Sequence, residues 1–334
     1  MTNRERFINI FNFKPVDRVP VMEWAVWWRD KTIKRWEEEG LPVGLSRNDI
    51  YKYFDLDDHY QYGFSMRRPG FPAAAHHGAG VINDERNYDE VKKFLFPENA
   101  VSCNSEYLKS LSVRHDKGEF PLWFAIDGYF WHPRNMFGIE NHLYSFYDQP
   151  ELYNRICSDA VDFQIRTIEQ YCEYMTPDYI SIAEDMSYNH GPMLSKQMFD
   201  EFLAPHYKRI VPVLKQRGIK VFVDTDGDVT PLIPWLLEVG IDGIFPLERQ
   251  AGVDVAKIRE DYPDLLMIGG YDKLIMKNGE AAMRAEFERL LPVMKKGGYI
   301  ASVDHQTPPD VSLENYKIFV KLFKEYSVKA GNKY

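Results

Sequence analysis

The chain has 334 residues and a net charge of −9, with no clustered run of Lys or Arg. That balance argues against nucleic acid or an anionic membrane surface as a partner, and no apolar stretch approaches the length of a membrane span. The opening MTNRERFINIF does not read as a secretory leader, and an apolar fraction of 45% can fill the core of one large α/β domain or two smaller ones. Cys103, Cys157 and Cys172 lack a CxxC spacing and are expected to be reduced, buried and structural in a cytoplasmic protein.

Thr2 as a cap, Glu5 three residues on and the apolar set Phe7, Ile8, Ile10 and Phe11 predict a short helix over 2–12, stopped by Pro15. Arg18 to Trp24 reads as a first buried strand ending in Glu23, and 28–40 as a helix closed by Gly40. Residues 41–115 are irregular and rich in Tyr, Phe, Gly and Pro, with the phrase His76-His-Gly-Ala-Gly80. They form an elaborated insertion, with a second strand expected within 53–66. From Pro121 the rhythm is regular: strands at 121–127, 179–185, 220–224, 243–248, 265–270 and 298–303, separated by helical stretches, with a closing helix over 312–329. Eight strands alternating with helices predict a (β/α)8 TIM barrel as one domain over 1–334.

The stretch KVFVDTDGDVTP, from Lys220 to Pro231, concentrates the chemistry. A short apolar run reads as a strand buried on both faces. Asp224, Asp226 and Asp228 follow it, and PLIPWLLEVG then opens a helix. Capping accounts for one Asp; three in five residues repel each other. The other strand ends repeat the theme with Glu23, Asp127, Glu184 and Asp185, Glu248, Asp272, and Asp304 with His305. Strand-to-helix loops favour Asp as a cap, which explains about half of these acids. Glu184, Glu248 and His305 have no helix starting immediately after them and are the candidate catalytic residues. His305 lies in VDHQTPPD, where a mid-helix core role is closed to it. Trp24, Trp27, Arg29, Tyr129 and Tyr188 are the candidate substrate contacts.

Asn3-Arg-Glu-Arg-Phe7, Pro15-Val-Asp-Arg-Val-Pro20, Gly191-Pro192 with Ser195, Gly240-Ile-Asp-Gly243, Gly269-Gly270 and the Gly297-Gly-Tyr-Ile to Pro308-Pro309 close run through nearly the whole chain. In that order they resemble the uroporphyrinogen decarboxylase superfamily. The resemblance implies a (β/α)8 barrel that acts as a decarboxylase or as a corrinoid-dependent methyltransferase. The decarboxylases carry Arg-Gln-Ala-Gly-Arg after the first strand; here Glu23-Trp-Ala-Val-Trp-Trp-Arg29 stands there, with Arg29 alone able to meet a carboxylate. Thiol-activating methyltransferases carry His-x-Cys-Gly after the middle strand and a Cys before the final Pro pair, together binding zinc. The matching positions here are Asp224, Asp226 and His305, which can still hold a divalent metal, zinc foremost.

The methyltransferase branch is therefore the leading expectation. It moves a methyl group between a small substrate, such as an aromatic methyl ether, and a cobalamin on a separate corrinoid protein. A decarboxylase of uroporphyrinogen or a smaller acid is the first alternative, and a non-catalytic binding barrel the second.

Overall fold

A computed structural model describes residues 1–25, 27–101 and 104–331. Cys103 lies outside the described residues. Nine strands form among the described residues: β1 Tyr60–Gly63, β2 Leu122–Asp127, β3 Tyr179–Ala183, β4 Ser187–Tyr188, β5 Gly191–Pro192, β6 Lys220–Asp224, β7 Gly243–Phe245, β8 Leu266–Ile268 and β9 Tyr299–Ile300. Seven build one parallel sheet in the order β1-β2-β3-β6-β7-β8-β9, and β4 pairs with β5 as a small antiparallel ribbon. Helices lie between successive parallel strands, and the architecture is α/β and TIM-barrel-like.

Local chemistry explains most boundaries. Thr2 and Glu5 form a reciprocal capping box at Asn3–Ile10. The long helical stretch after β2 is three helices, Trp131–Phe137, Ile139–Asp148 and Pro150–Cys172, broken at Gly138 and Gln149. Gly138 has φ +83°, and a Cβ there would lie 2.4 Å from the Gly80 nitrogen, so the helix must break where that loop docks. The insertion is more ordered than its composition implied, with helices Arg47–Phe54, Glu85–Lys92 and Ser105–Asp116.

The predicted first strand, Arg18 to Trp24, forms no ladder. It runs extended between the two edges of the sheet. Val21 donates to Asp57 Oδ2 at 2.7 Å and its carbonyl accepts from the Asp57 N–H at 2.9 Å, both just before β1. On the other side, the Trp24 indole donates to the Val303 carbonyl at 2.9 Å, beyond β9. Glu23 is buried, with its carboxyl accepting from the Ser302 hydroxyl. Fixed side-chain partners hold this segment in place of a strand ladder.

One continuous apolar core takes residues from Phe7 to Ala330. No helix among the described residues is long and apolar enough to cross a membrane. Cys157 and Cys172 are free thiols, Cys157 fully buried.

Candidate functional site

The C-terminal ends of the parallel strands deliver the site, as they do in α/β barrels. Asp226 follows β6, Glu248 follows β7 and His305 follows β9. One ligand atom from each of these three lies within 4.8 Å of the others, and His305 Nε2 is 3.5 Å from Asp226 Oδ1. Three sequence-remote residues thus meet at one opening.

Each is positioned by its own contacts. Gly227 has φ +78°, and a Cβ there would sit 2.4 Å from the Tyr188 carbonyl carbon. Only glycine permits that approach, and the Gly227 N–H then donates to Glu248 Oε2 at 2.9 Å. Glu248 follows Leu247, a bulky residue at φ +68°, a conformation that needs surrounding structure to hold it. The Lys273 ammonium lies 3.4 Å from both Glu248 Oε1 and Asp304 Oδ1. Asp304 is fully buried and accepts the Arg249 and Lys273 backbone N–H groups. The Trp24 ring meets the His305 ring edge-on at 6.1 Å.

Asp185 completes the acidic side. It adopts φ +46° in the turn after β3. Around it, Met186 N–H donates to the Thr225 hydroxyl at 3.0 Å and Ser187 Oγ donates to the Asp226 carbonyl at 2.6 Å. That turn locks the β3 end to the β6 end. Burial pushes the Asp185 carboxyl up, Arg134 and His305 pull it down, and Glu248 pushes it up again. Burial, then the Asp185 and Glu248 charges, push Asp226 up to about 7. Burial and the neighbouring Asp226 and Asp185 raise Asp224 well above the carboxylate range. Burial lowers the His305 pKa, which favours an imidazole with a free lone pair. Crowded carboxylates beside a neutral imidazole fit a divalent cation of the zinc or manganese type. The 3.5 Å between His305 Nε2 and Asp226 Oδ1 suits two donors about 2 Å from one ion.

The sequence expectations divide here. Asp226, Glu248 and His305 come together, with Trp24 packed on the group and Tyr188 half-exposed beside it. Asp224, expected as a metal ligand, ends β6 and is not one of the three grouped side chains, whereas Glu248, expected as a catalytic residue, is. Asp228 caps the next helical turn through Thr230 N–H at 3.0 Å.

Glu184 is not at the opening. It is 0% exposed and accepts from the Tyr129, Phe130 and Trp131 N–H groups at 2.9, 2.7 and 3.2 Å and from the Tyr207 hydroxyl. Burial raises it to about 7 against the pull of those donors. Its geometry is that of an anchor for the helix Trp131–Phe137. Trp27 packs against Trp36, Tyr51, Phe54 and Tyr316, and Tyr129 is fully buried with its hydroxyl on Gln164. Both are core residues, since a large aromatic gains most from full burial. Arg29 donates to the Leu45 carbonyl at 2.9 Å, away from the trio.

Asp185 and Lys273 were missed as site residues. Asp185 follows Glu184 directly, so a one-residue choice at the strand end decided against it. Nothing in the local sequence marks Lys273 except its place two residues after Tyr271, at a strand end.

The sequence pattern of the uroporphyrinogen decarboxylase family matches residues 77–326. The chain belongs to that family. A methylcobamide:CoM methyltransferase of Methanosarcina acetivorans is 21% identical over 299 residues, covering 83% of this chain and 85% of the relative. Two solved structures overlay loosely. One comes from work on the pneumococcal virulence factor StrH and N-glycan hydrolysis, at 11% identity over 86% of this chain and 80% of that one, with a TM-score of 0.40. The other is a sugar phosphate isomerase/epimerase of Parabacteroides distasonis, at 13% identity over 87% and 95%, with a TM-score of 0.28. Superpositions this loose carry no argument about function.

Proposed function

We propose that this chain is the substrate-handling methyltransferase of a cytoplasmic corrinoid system. It moves a methyl group between a small molecule, such as an aromatic methyl ether, and a cobalamin carried by a separate protein. The observation that carries this reading is the meeting of Asp226, Glu248 and His305 at the strand ends of a family member related to a methylcobamide:CoM methyltransferase. In the same reading the chain is one domain, and Val19 to Trp24 stands in for the eighth strand of a closed barrel.

A divalent cation held by Asp226, Glu248 and His305, zinc foremost, supplies Lewis acidity toward the substrate heteroatom when bound. The chain's own residues do the rest. The Gly227 N–H and Lys273 hold the Glu248 carboxylate. Trp24 orients the His305 ring. Demethylation leaves the electron pair of the carbon–heteroatom bond on the substrate, and Asp185, whose carboxyl is raised by burial, supplies the proton.

Metal analysis of protein purified without chelator tests the reading. One equivalent of zinc or manganese is expected, lost in Asp226→Ala, Glu248→Ala and His305→Ala. Absence of metal in the native protein, with no melting shift on titrating several divalent ions, would remove the Lewis-acid role. The 3.5 Å His305–Asp226 contact favours a second reading in that event, a proton-handling pair serving a decarboxylase.

A further inference from the structure

The segment His76 to Gly80 is welded to the protein by glycines. A Cβ on Gly80 would lie 2.2 Å from the Phe137 carbonyl oxygen, Ile139 N–H donates to the Gly78 carbonyl at 3.0 Å, and Val81 N–H donates to the Met136 carbonyl at 2.7 Å. This docking closes a cavity of about 330 Å³ against the helix Trp131–Phe137. Its walls carry Arg67, Phe71, His76, His77, Trp131 and Arg134, and no Asp or Glu borders it. In a chain of net charge −9 that is an unusual wall.

The two guanidiniums lie over apolar rings, Arg67 4.5 Å from the Phe71 centroid and Arg134 5.1 Å from that of Trp131. Neither guanidinium forms an ion pair or a hydrogen bond among the described residues. Elsewhere arginines meet carboxylates, as Arg18 meets Asp57 and Arg284 meets Glu325. A neighbouring cavity of about 420 Å³ shares Arg67, Trp131 and Asn135. There the His132 Nε2, in a residue only 2% exposed, has no hydrogen-bond partner among the described residues, and its Nδ1 is 4.0 Å from Asp127 Oδ2. Asp127 forms no ion pair with Arg67 among the described residues.

We infer that Arg67 and Arg134 form an anion subsite, with Phe71 and Trp131 as its walls, that binds the carboxylate of a small, flat organic anion. Paired guanidiniums suit a carboxylate because their planar donors match its two oxygens, and aromatic faces stack on a flat body. The volume suits a single-ring molecule. The identification of this anion as the substrate rests on the proposed function; the anion subsite itself does not.

Calorimetry with the full chain in excess EDTA tests the subsite with benzoate, benzamide and inorganic phosphate as probes. Neither metal nor methyl transfer enters the measurement. Benzoate is expected to bind saturably and about tenfold tighter than benzamide, a difference typical of one charge-assisted contact. Arg67→Gln and Arg134→Gln are expected each to remove that preference while leaving benzamide affinity unchanged, with the circular dichroism intact. Phosphate, lacking a flat body, is expected to bind more weakly than benzoate. The inference is overturned by equal affinities for benzoate and benzamide, by no saturable benzoate binding up to roughly 10 mM, by unaltered benzoate affinity in both variants, or by phosphate binding as tightly as benzoate. Benzoate bound as expected by a chain that takes up no metal would remove the Lewis-acid reading and leave the anion subsite standing.

Discussion

Asp226, Glu248 and His305 reach one opening by three different local devices: a turn locked by Thr225 and Ser187, a left-handed Leu247, and a ring braced by Trp24. Their carboxylates must be ionised to hold a cation, so protons compete with metal. With Asp226 raised to about 7, metal affinity is expected to fall steadily as pH drops below about 7, measured by zinc titration between pH 8 and 5.5. A flat profile over that range would show that Asp226 is not a ligand. Gly227 carries a second residue-scale expectation. In Gly227→Ala the new methyl would overlap the Tyr188 backbone and displace the N–H from Glu248, so the variant is expected to lose metal while retaining most of its fold. Full metal retention would mean that Glu248 is held by Lys273 alone.

At the scale of elements, the helix Trp131–Phe137 is the part most dependent on a remote residue. Its N-terminus is satisfied by Glu184, brought from the end of β3. Gly128 leaves space for that carboxylate, since a Cβ there would lie 2.1 Å from Glu184 Cδ. Gly128→Ala is therefore expected to cost about 3 kcal/mol of stability, the size of an overpacking clash, read as a lower denaturation midpoint. A cost near zero would mean that the helix start shifts freely, and the Glu184 anchor would then be unimportant.

At the scale of the whole molecule, the extended segment Val19 to Trp24 spans the two sheet edges and depends on two acids. Asp57 accepts from Val21 N–H and pairs with Arg18. Asp57→Ala is expected to cost roughly 2–3 kcal/mol, because a partly buried donor and a guanidinium lose their acceptor. A change under about 0.5 kcal/mol, ordinary for a surface site, would show that the segment is held by packing alone. Glu23 acts in the opposite sense. Burial raises its carboxyl from 4.5 to about 8. Below pH 4.5 the group is protonated in folded and unfolded chain alike and imposes no penalty; as pH climbs toward 8 the unfolded chain ionises more readily and stability is lost. Glu23→Gln is expected to abolish this slope and to be the more stable protein at pH 8, compared by urea denaturation at both pH values. Parallel pH profiles for the two proteins would overturn the assignment.

With four acidic groups at the site, two of them in the trio itself, and Arg29 turned to Leu45, a tetrapyrrole bearing several carboxylates meets an acidic site with no cluster of arginines to hold it. Uroporphyrinogen is expected to give no coproporphyrinogen in an anaerobic assay, and formation of the four-carboxyl product at an enzymatic rate would restore the decarboxylase alternative.

Local sequence by itself determined the alternation of strands and helices, because buried parallel strands read as short apolar runs and caps as Ser, Thr, Asp or Gly at fixed offsets. It also placed Asp226, Glu248 and His305 at strand ends, where a parallel α/β fold exposes its chemistry. It could not decide which of two neighbours faces the opening, as with Asp224 beside Asp226 or Glu184 beside Asp185. That choice depends on backbone geometry at the strand end, and the left-handed turn at Asp185 reverses it. Nor could composition separate Trp24, which lies at the site, from Trp27 and Tyr129, which fill the core: an aromatic ring is suited to both, and only its neighbours decide. Lys273, Arg67 and Arg134 come from separate segments with no shared motif; Lys273 meets Glu248, and Arg67 and Arg134 share one cavity, only once the sheet has curled and the insertion has docked.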